Sequence, residues 1–520
     1  MNNKITVFDS TLRDGAQSEG VSYSVQDKLN IAKALDEFGV SYIEAGIPGA
    51  NPKDMEFFEK ASRMSFKNAK LCAFGRTAPK GTAPQDDSGL SAIVGSKCPA
   101  AAIFGKAWSL HVTEILGITL EENLETVENS VRFLKSHGME VIFDAEHAFD
   151  GFKADRAYAE SVISAAVSGG ADCISLCDTN GGTMPFEIYD ITKKLCERFP
   201  ETLFAIHAHD DCGCAAANSV MAVKAGARSV QGTFIGYGER AGNAALSTVI
   251  PDLVLKCGLE CDGQLPLLSK TARTVAEISN MRLGHGMPYV GRSAFAHKGG
   301  MHIDAVKKLT RSFEHIDPET VGNKRRFLNS EMSGRASVLD KVQEFIPDAE
   351  KNSPTTKRIA EKLKELEYHG YRFEAADASF ELMVKRTLGL FKPHFDTILY
   401  KTIGEFPGSD GGMQASAMIR ISVDGREEIT AAIGNGPVNA LDTALRKALS
   451  VFYPQLRTVH LTDYKVRVFD TEKATGAMTR VMIETSDGSE TWTTVGASAD
   501  IIEASWLALV DSIEYKLSKE

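Results

Sequence analysis

The sequence predicts an α/β protein: a (β/α)8 TIM barrel, a mainly helical linker region, and a C-terminal α+β domain built on an internal repeat. Three observations carry this reading. Eight short apolar runs alternate with amphipathic helical patterns over residues 1–268. Residues 269–390 turn to basic and polar helical stretches divided by loops. Residues 391–520 contain two copies of one strand–turn–strand–helix pattern. A chain of 520 residues also exceeds what one hydrophobic core usually holds, so several domains are expected.

The eight strand candidates are "ITVFD", "YIEAG", "LCAFG", "AAIFG", "EVIFDAE", "CISLCD", "LFAIHAH" and "SVQGTFIG". Helical patterns such as "SVQDKLNIAKALDEFG" separate them, and this alternation favours a parallel sheet. The helix "TLEENLETVENSVRFLKSHG" opens on a capping box, Thr119 with Glu122 three later, and stops at Gly138. Eight units in about 260 residues match a closed barrel, whereas a doubly wound open sheet is the alternative with the same alternation. The linker region holds helices such as "TTKRIAEKLKELEYHG" and loops such as "GHGMPYVGRSAFAHKGG".

The repeat pairs "ASAMIRISVDGREEITAAIGNGPVNALDTALRKAL" with "MTRVMIETSDGSETWTTVGASADIIEASWLALVDSI". Asp424-Gly425 and Asp487-Gly488 are hairpin turns. Small-residue junctions at Gly434, Gly436 and Gly496 present backbone N–H groups at helix starts, which suits a carboxylate effector. The same glycines would also serve as tight turns in a dimerising domain.

The net charge of −11 argues against nucleic acid or an anionic membrane as partner. No apolar run reaches the ~18 residues of a membrane span. The start, "MNNKITVFDS", has no signal-peptide core. Nine cysteines lie between Cys72 and Cys261 without a C-x-x-C pair, as free thiols in a reducing compartment would. A cytoplasmic protein is expected.

A barrel builds its site where strands end. Polar residues cluster there: Arg13 and Asp14 after the first run, Glu44 after the second, Asp144 and Glu146 in the fifth, Thr179 after the sixth, and Asn243 beyond the eighth. The seventh supplies His207 and His209, which alternation puts on one face. Two imidazoles with a carboxylate suit zinc, manganese or cobalt better than magnesium, which prefers oxygen alone. Asp14 is the best-placed third ligand and Asn243 completes the shell. Two hydrogen-bonded core histidines are the structural alternative. A cation with open positions beside Arg13 suits a small α-keto acid, whose carbonyl it would polarise. Arg13 could steady a developing oxyanion, or simply pair with Asp14 or a barrel acid. Thr179 could bind the keto-acid carboxylate, or cap a helix.

"DSTLRDGAQ", "HAHDDCG", "DAEHAFDGFKAD", "CDTNGGTMPFE", "QGTFIGYGERAGN", "SAFAHKGGMHIDAV" and "EHIDPETVGNKRRFLNSEMSGR" resemble the 2-isopropylmalate synthase and homocitrate synthase family over nearly the whole chain. The wording is closest to the branch that condenses acetyl-CoA with pyruvate to give citramalate. The resemblance implies Asp14, His207 and His209 as metal ligands and Asn243 as an auxiliary one. It implies Arg13 as enolate stabiliser, Glu146 as acid/base and Thr179 as the keto-acid carboxylate contact. It implies that His302 reaches the mouth of the partner's barrel in a homodimer, and that isoleucine is the effector of the C-terminal repeat. In the family a tyrosine pairs with that histidine; here the position is Phe313, which has no hydroxyl. Phe104, after the fourth strand, is the candidate wall favouring a methyl over an isopropyl group. The alternatives are 2-oxoisovalerate or 2-oxoglutarate as acceptor, a lyase working in reverse, or an inactive barrel that senses an amino acid.

Overall fold

The computed structural model describes residues 4–328, 343, 353–373, 375–405, 414–469 and 477–519. The stretch 329–335, which ends the last of the family-like segments, lies outside them. Two compact units divide the chain: Met1–Phe295 with His315–Arg325, and Ala296–Glu314 with Arg326–Glu520.

In the first unit, β1 (Thr6–Asp9), β2 (Tyr42–Glu44), β3 (Lys70–Arg76), β4 (Ala100–Lys106), β5 (Glu140–Glu146), β6 (Cys173–Asp178), β7 (Phe204–Ala208) and β8 (Ser229–Gly232) pair in sequence order. β8 pairs back on β1, with Asp9 opposite Gly232, so the barrel is closed rather than an open sheet. Each expected strand is present. The Thr119 capping box forms as read, and the Val25–Phe38 helix carries another on Ser24 before a left-handed Gly39.

Alternation sorts each strand into two faces. Outward residues meet the helices in the main core, where Phe143, Phe204 and Phe234 are fully buried, each worth about 1.5–3 kcal/mol. Inward residues fill the lumen. Phe8, Cys72, Phe74, Ala100, Ala102, Ile142, Cys173 and Ala205 form a separate apolar cluster there. The same inward rows then turn polar towards the strand ends, so the apolar plug forms the floor of a polar mouth.

The second unit holds a short parallel pair, β9 (Ala296–His297) and β10 (Arg326–Phe327), and two antiparallel sheets. These are β11 (Asp396–Glu405), β12 (Gln414–Val423) and β13 (Arg426–Gly434), then β14 (His460–Phe469), β15 (Met478–Ser486) and β16 (Thr491–Ser498). Helices Pro437–Leu449 and Ile501–Leu517 follow the third strand of each sheet. The repeat is therefore real, but each copy has three strands where the sequence suggested two. β12 and β15 alternate between buried and half-buried residues, which made them legible. β14 is mostly exposed and lacks that period.

The Asp377–Thr387 helix, read from sequence as part of the linker, packs on this domain. Ser379 donates to Asp511 Oδ2 at 2.7 Å and accepts from the Val495 N–H at 3.0 Å. Among the described residues, no helix is long and apolar enough to cross a membrane.

Asp9 ends β1 fully buried, accepting from the Thr11 N–H at 2.9 Å. Burial, with Glu44 nearby, pushes its carboxyl up to about 7 despite that bond. A raised carboxyl stabilises the fold while protonated. That contribution is fully present below the unfolded value near 4 and is lost as pH rises towards 7. Asp9→Asn should therefore melt higher than the parent, with a difference that opens between about pH 4 and 7 and is constant above. Thermal melts across pH test this; a pH-independent difference would contradict it.

Candidate active site

The mouth is organised around the ends of β1, β7 and β8. His207 lies in β7 and His209 just beyond it, on one face, with Nε2 atoms 3.4 Å apart. Asp14, on the turn after β1, puts Oδ2 3.7 Å from His207 Nε2 and 3.9 Å from His209 Nε2. All three side chains are buried. Two atoms each about 2.1 Å from one ion, at angles of roughly 90–140°, lie about 3.0–3.9 Å apart, so this spacing fits a shared cation.

Protonation agrees with that fit. Burial, reinforced by the neighbouring His209, pushes His207 down to about 3, and burial lowers His209 as well. Both are neutral imidazoles at pH 7, the form that ligates a metal. Burial alone would raise Asp14, yet the Arg13 guanidinium beside it, with the Asn243 hydrogen bond, holds its carboxyl well below the usual carboxylate range. Asn243 donates Nδ2–H to Asp14 Oδ1 at 2.8 Å. Its own Oδ1 is buried with no hydrogen-bond partner among the described residues, a spare oxygen beside the cluster.

Arg13 is fixed on three sides. Nε donates to Glu44 Oε2 at 2.6 Å, Nη1 to Asp14 Oδ2 at 2.7 Å, and the guanidinium lies 3.9 Å over the Phe74 ring. Glu44 is fully buried and also accepts from the Ser10 hydroxyl. The ion pair with Asp14 offered as the plain structural reading of Arg13 does form. It occupies Nη1, and Nη2 is not committed to it.

Around this centre, Phe104 in β4 stacks on Phe74 with centroids 5.6 Å apart. Asp144 stands level with Phe104, and Glu146 level with Lys106, with which it forms an ion pair. Burial and Glu44 push Asp144 up to about 7. Thr179, after β6, accepts from the His147 N–H at 2.9 Å. His147 itself is held at φ 57°, a left-handed conformation for a non-glycine residue.

The sequence assigns no role to Phe74, Lys106 or Ser10, and it marks Glu44 only as a polar residue at a strand end, without its grip on Arg13. Period two would have found the first two, since Cys72, Phe74 and Arg76 share a face, as do Phe104 and Lys106.

The other expected residues lie in the second unit. His302 is exposed in the Gly300–Lys308 helix, and its ring stacks on Phe313 at 4.0 Å. Phe313 brings no hydroxyl to that contact. Gly434 and Gly436 do precede the Pro437–Leu449 helix. Gly496 does not stand at a helix start: it lies within β16, and a Cβ there would come 2.1 Å from Ala504 O. The helix after it is capped by Asp500, which accepts from the N–H groups of Ile502 and Glu503. A carboxylate of the chain already occupies the place read as an anion site. A Cβ on Gly434 would meet Ala440 N at 2.6 Å, so it too serves close sheet–helix packing.

Three family models match in series: an HMGL-like model over residues 4–275, a homocitrate synthase post-HMGL domain-like model over 289–370, and a LeuA allosteric (dimerisation) domain model over 374–517. An (R)-citramalate synthase from Aquifex aeolicus is 52% identical over 100% of this chain and 99% of its own. One from Geobacter sulfurreducens is 47% identical over 99% of this chain and 98% of its own. A probable 2-isopropylmalate synthase from Methanopyrus kandleri is 32% identical, over 99% and 98%. The resemblance drawn from the motifs is borne out along the full length: the chain belongs to the (R)-citramalate synthase family.

Proposed function

We propose that this protein condenses acetyl-CoA with pyruvate and hydrolyses the resulting thioester to (R)-citramalate and CoA. The observation that carries this is the 52% identity to an (R)-citramalate synthase across the whole chain. The mouth geometry supports the same chemistry. Acetyl-CoA must lose a methyl proton, and its enolate must attack the ketone carbon of pyruvate.

Asp14, His207 and His209, with Asn243 beside them, are the residues that would hold a divalent ion. Two nitrogen ligands favour zinc, manganese or cobalt over magnesium. When bound, such an ion polarises the keto-acid carbonyl and fixes its carboxylate. Arg13 has Nε and Nη1 committed, so Nη2 is the donor left for the enolate oxygen, and its Glu44 anchor keeps it oriented. The Thr179 oxygen already accepts a backbone N–H, which leaves its O–H to donate to the keto-acid carboxylate. Glu146, paired with Lys106, is the acid/base of the mouth. His302, backed by Phe313 in place of a tyrosine, serves the partner's barrel in a homodimer. Exposed apolar side chains on the sheets, among them Ile403, Ile429, Ile433 and Val468, support association through the C-terminal domain. That domain responds to an end-product amino acid, isoleucine.

Phe104 and the Phe74 ring it stacks on leave the keto-acid side chain an aromatic wall. One or two methylenes discriminate by about 1–3 kcal/mol each. Pyruvate should therefore be used at least tenfold more efficiently than 2-oxoisovalerate, measured as thiol release from acetyl-CoA. Preference for the branched acid would instead favour a 2-isopropylmalate synthase. Chelation should stop thiol release and metal should restore it. His209→Ala should abolish both turnover and bound-metal content, read by elemental analysis, while the oligomer stays folded. Parental rates in that variant would refute the metal role.

A further inference from the structure

Beneath Asp14, His207 and His209 the barrel lumen carries a layer of polar side chains that the proposed reaction does not use. Strand register builds it. Gln231 of β8 is level with His207 of β7, and Asp144 of β5 is level with Ser175 of β6. All four lie on inward rows and all four are buried. Two residues back on β5, β6 and β7 the same rows hold Ile142, Cys173 and Ala205, part of the apolar plug. Burying an amide against such a floor is costly unless the amide is hydrogen-bonded.

Gln231 acts through hydrogen bonding on two neighbours, His207 and Asp144. β6 and β7 stand between β5 and β8 on the barrel wall, so Gln231 meets Asp144 across the lumen. His207 Nδ1, Gln231 Oε1 and Asp144 Oδ1 are each buried without a close hydrogen-bond partner among the described residues. Their chemistry orders them. His207 Nε2 is the nitrogen that faces Asp14 Oδ2 and His209 Nε2. To offer a lone pair there, the neutral ring must carry its proton on Nδ1. That buried N–H needs an acceptor, and Gln231 Oε1 is the one level with it. Cys177, level with His207 on the other side, turns its thiol to the Ser175 carbonyl at 3.7 Å. With Oε1 given to His207, the Gln231 NH2 is left for Asp144, whose Oδ1 accepts in either protonation state. The Ser175 hydroxyl holds Asp144 in turn.

We propose that Gln231 is a positioning residue for the metal site, its Oε1 fixing the Nδ1–H tautomer and ring direction of His207 while Asp144 fixes the amide. A carboxylate behind a metal-bound histidine does the same work directly. Here a neutral amide stands between, so the constraint reaches His207 without a second negative charge next to Asp14. The inference rests on reading Asp14, His207 and His209 as a metal site.

The test uses full-length, metal-free protein titrated with Co²⁺ by calorimetry, together with ¹⁵N-histidine NMR of the same metal-free protein. Gln231→Met keeps the length and removes the acceptor; it should weaken Co²⁺ binding roughly tenfold or more. Gln231→Glu restores an acceptor oxygen and should bind within about threefold of the parent. The His207 ring, identified by its absence from the spectrum of His207→Asn, should be the Nδ1–H tautomer in the parent and in Gln231→Glu. Gln231→Met should lose that preference. Asp144→Leu should weaken Co²⁺ binding and Asp144→Asn, which keeps an acceptor, should not; this pair decides the matter if Gln231→Met does not fold. Parental affinity or an unchanged tautomer in Gln231→Met would overturn the proposal. So would equal losses in Gln231→Met and Gln231→Glu, equal effects of the two Asp144 variants, or an Nε2–H tautomer in the parent. If the parent binds no Co²⁺, the metal reading fails, while the tautomer still reports on Gln231.

Discussion

Asp14 is the residue on which the mouth of the barrel depends. One carboxylate faces two imidazole nitrogens, one guanidinium and one amide at once. Burial opposes its charge, and these neighbours together outweigh burial. Each of them is in turn held by something else. Glu44 and the Phe74 ring hold Arg13, the end of β7 places the histidines, and the turn after β8 delivers Asn243. That is why a carboxylate can sit buried here with its charge intact.

The barrel supplies this balance through its two-residue period. The same inward rows that plug the lumen with Phe8, Ile142 and Ala102 carry Glu44, Asp144, Glu146 and His207 a few residues further on. Low polarity at the floor strengthens every charge interaction at the mouth. It also raises Asp9 and Asp144, so not every acid in the lumen carries charge near neutral pH.

The C-terminal domain uses a different logic. Its glycines Gly434 and Gly496 let helices lie close on the sheets, where any side chain would strike helix backbone. A cavity opens where the Asp377–Thr387 helix meets the Ile501–Leu517 helix around the Ser379–Asp511–Arg386 network.

The sequence by itself determined the local facts. Strand and helix alternation, the capping box on Thr119, and the H-x-H pair at a strand end are set by nearest neighbours along the chain, so they could be read there. The motifs around Arg13, Asp14 and His209 also mark the family without any geometry. Tertiary structure decided what depends on distant residues. Closure of β8 onto β1 joins residues more than two hundred positions apart. Asn243 reaches Asp14 across 229 positions, and Glu44 reaches Arg13 across 31. β14 has little burial period of its own, since its place is set by pairing with β15. Gly496 looked like a junction because small residues are alike in sequence whether they turn the chain or admit a helix. Only the packing partner, here Ala504, distinguishes the two.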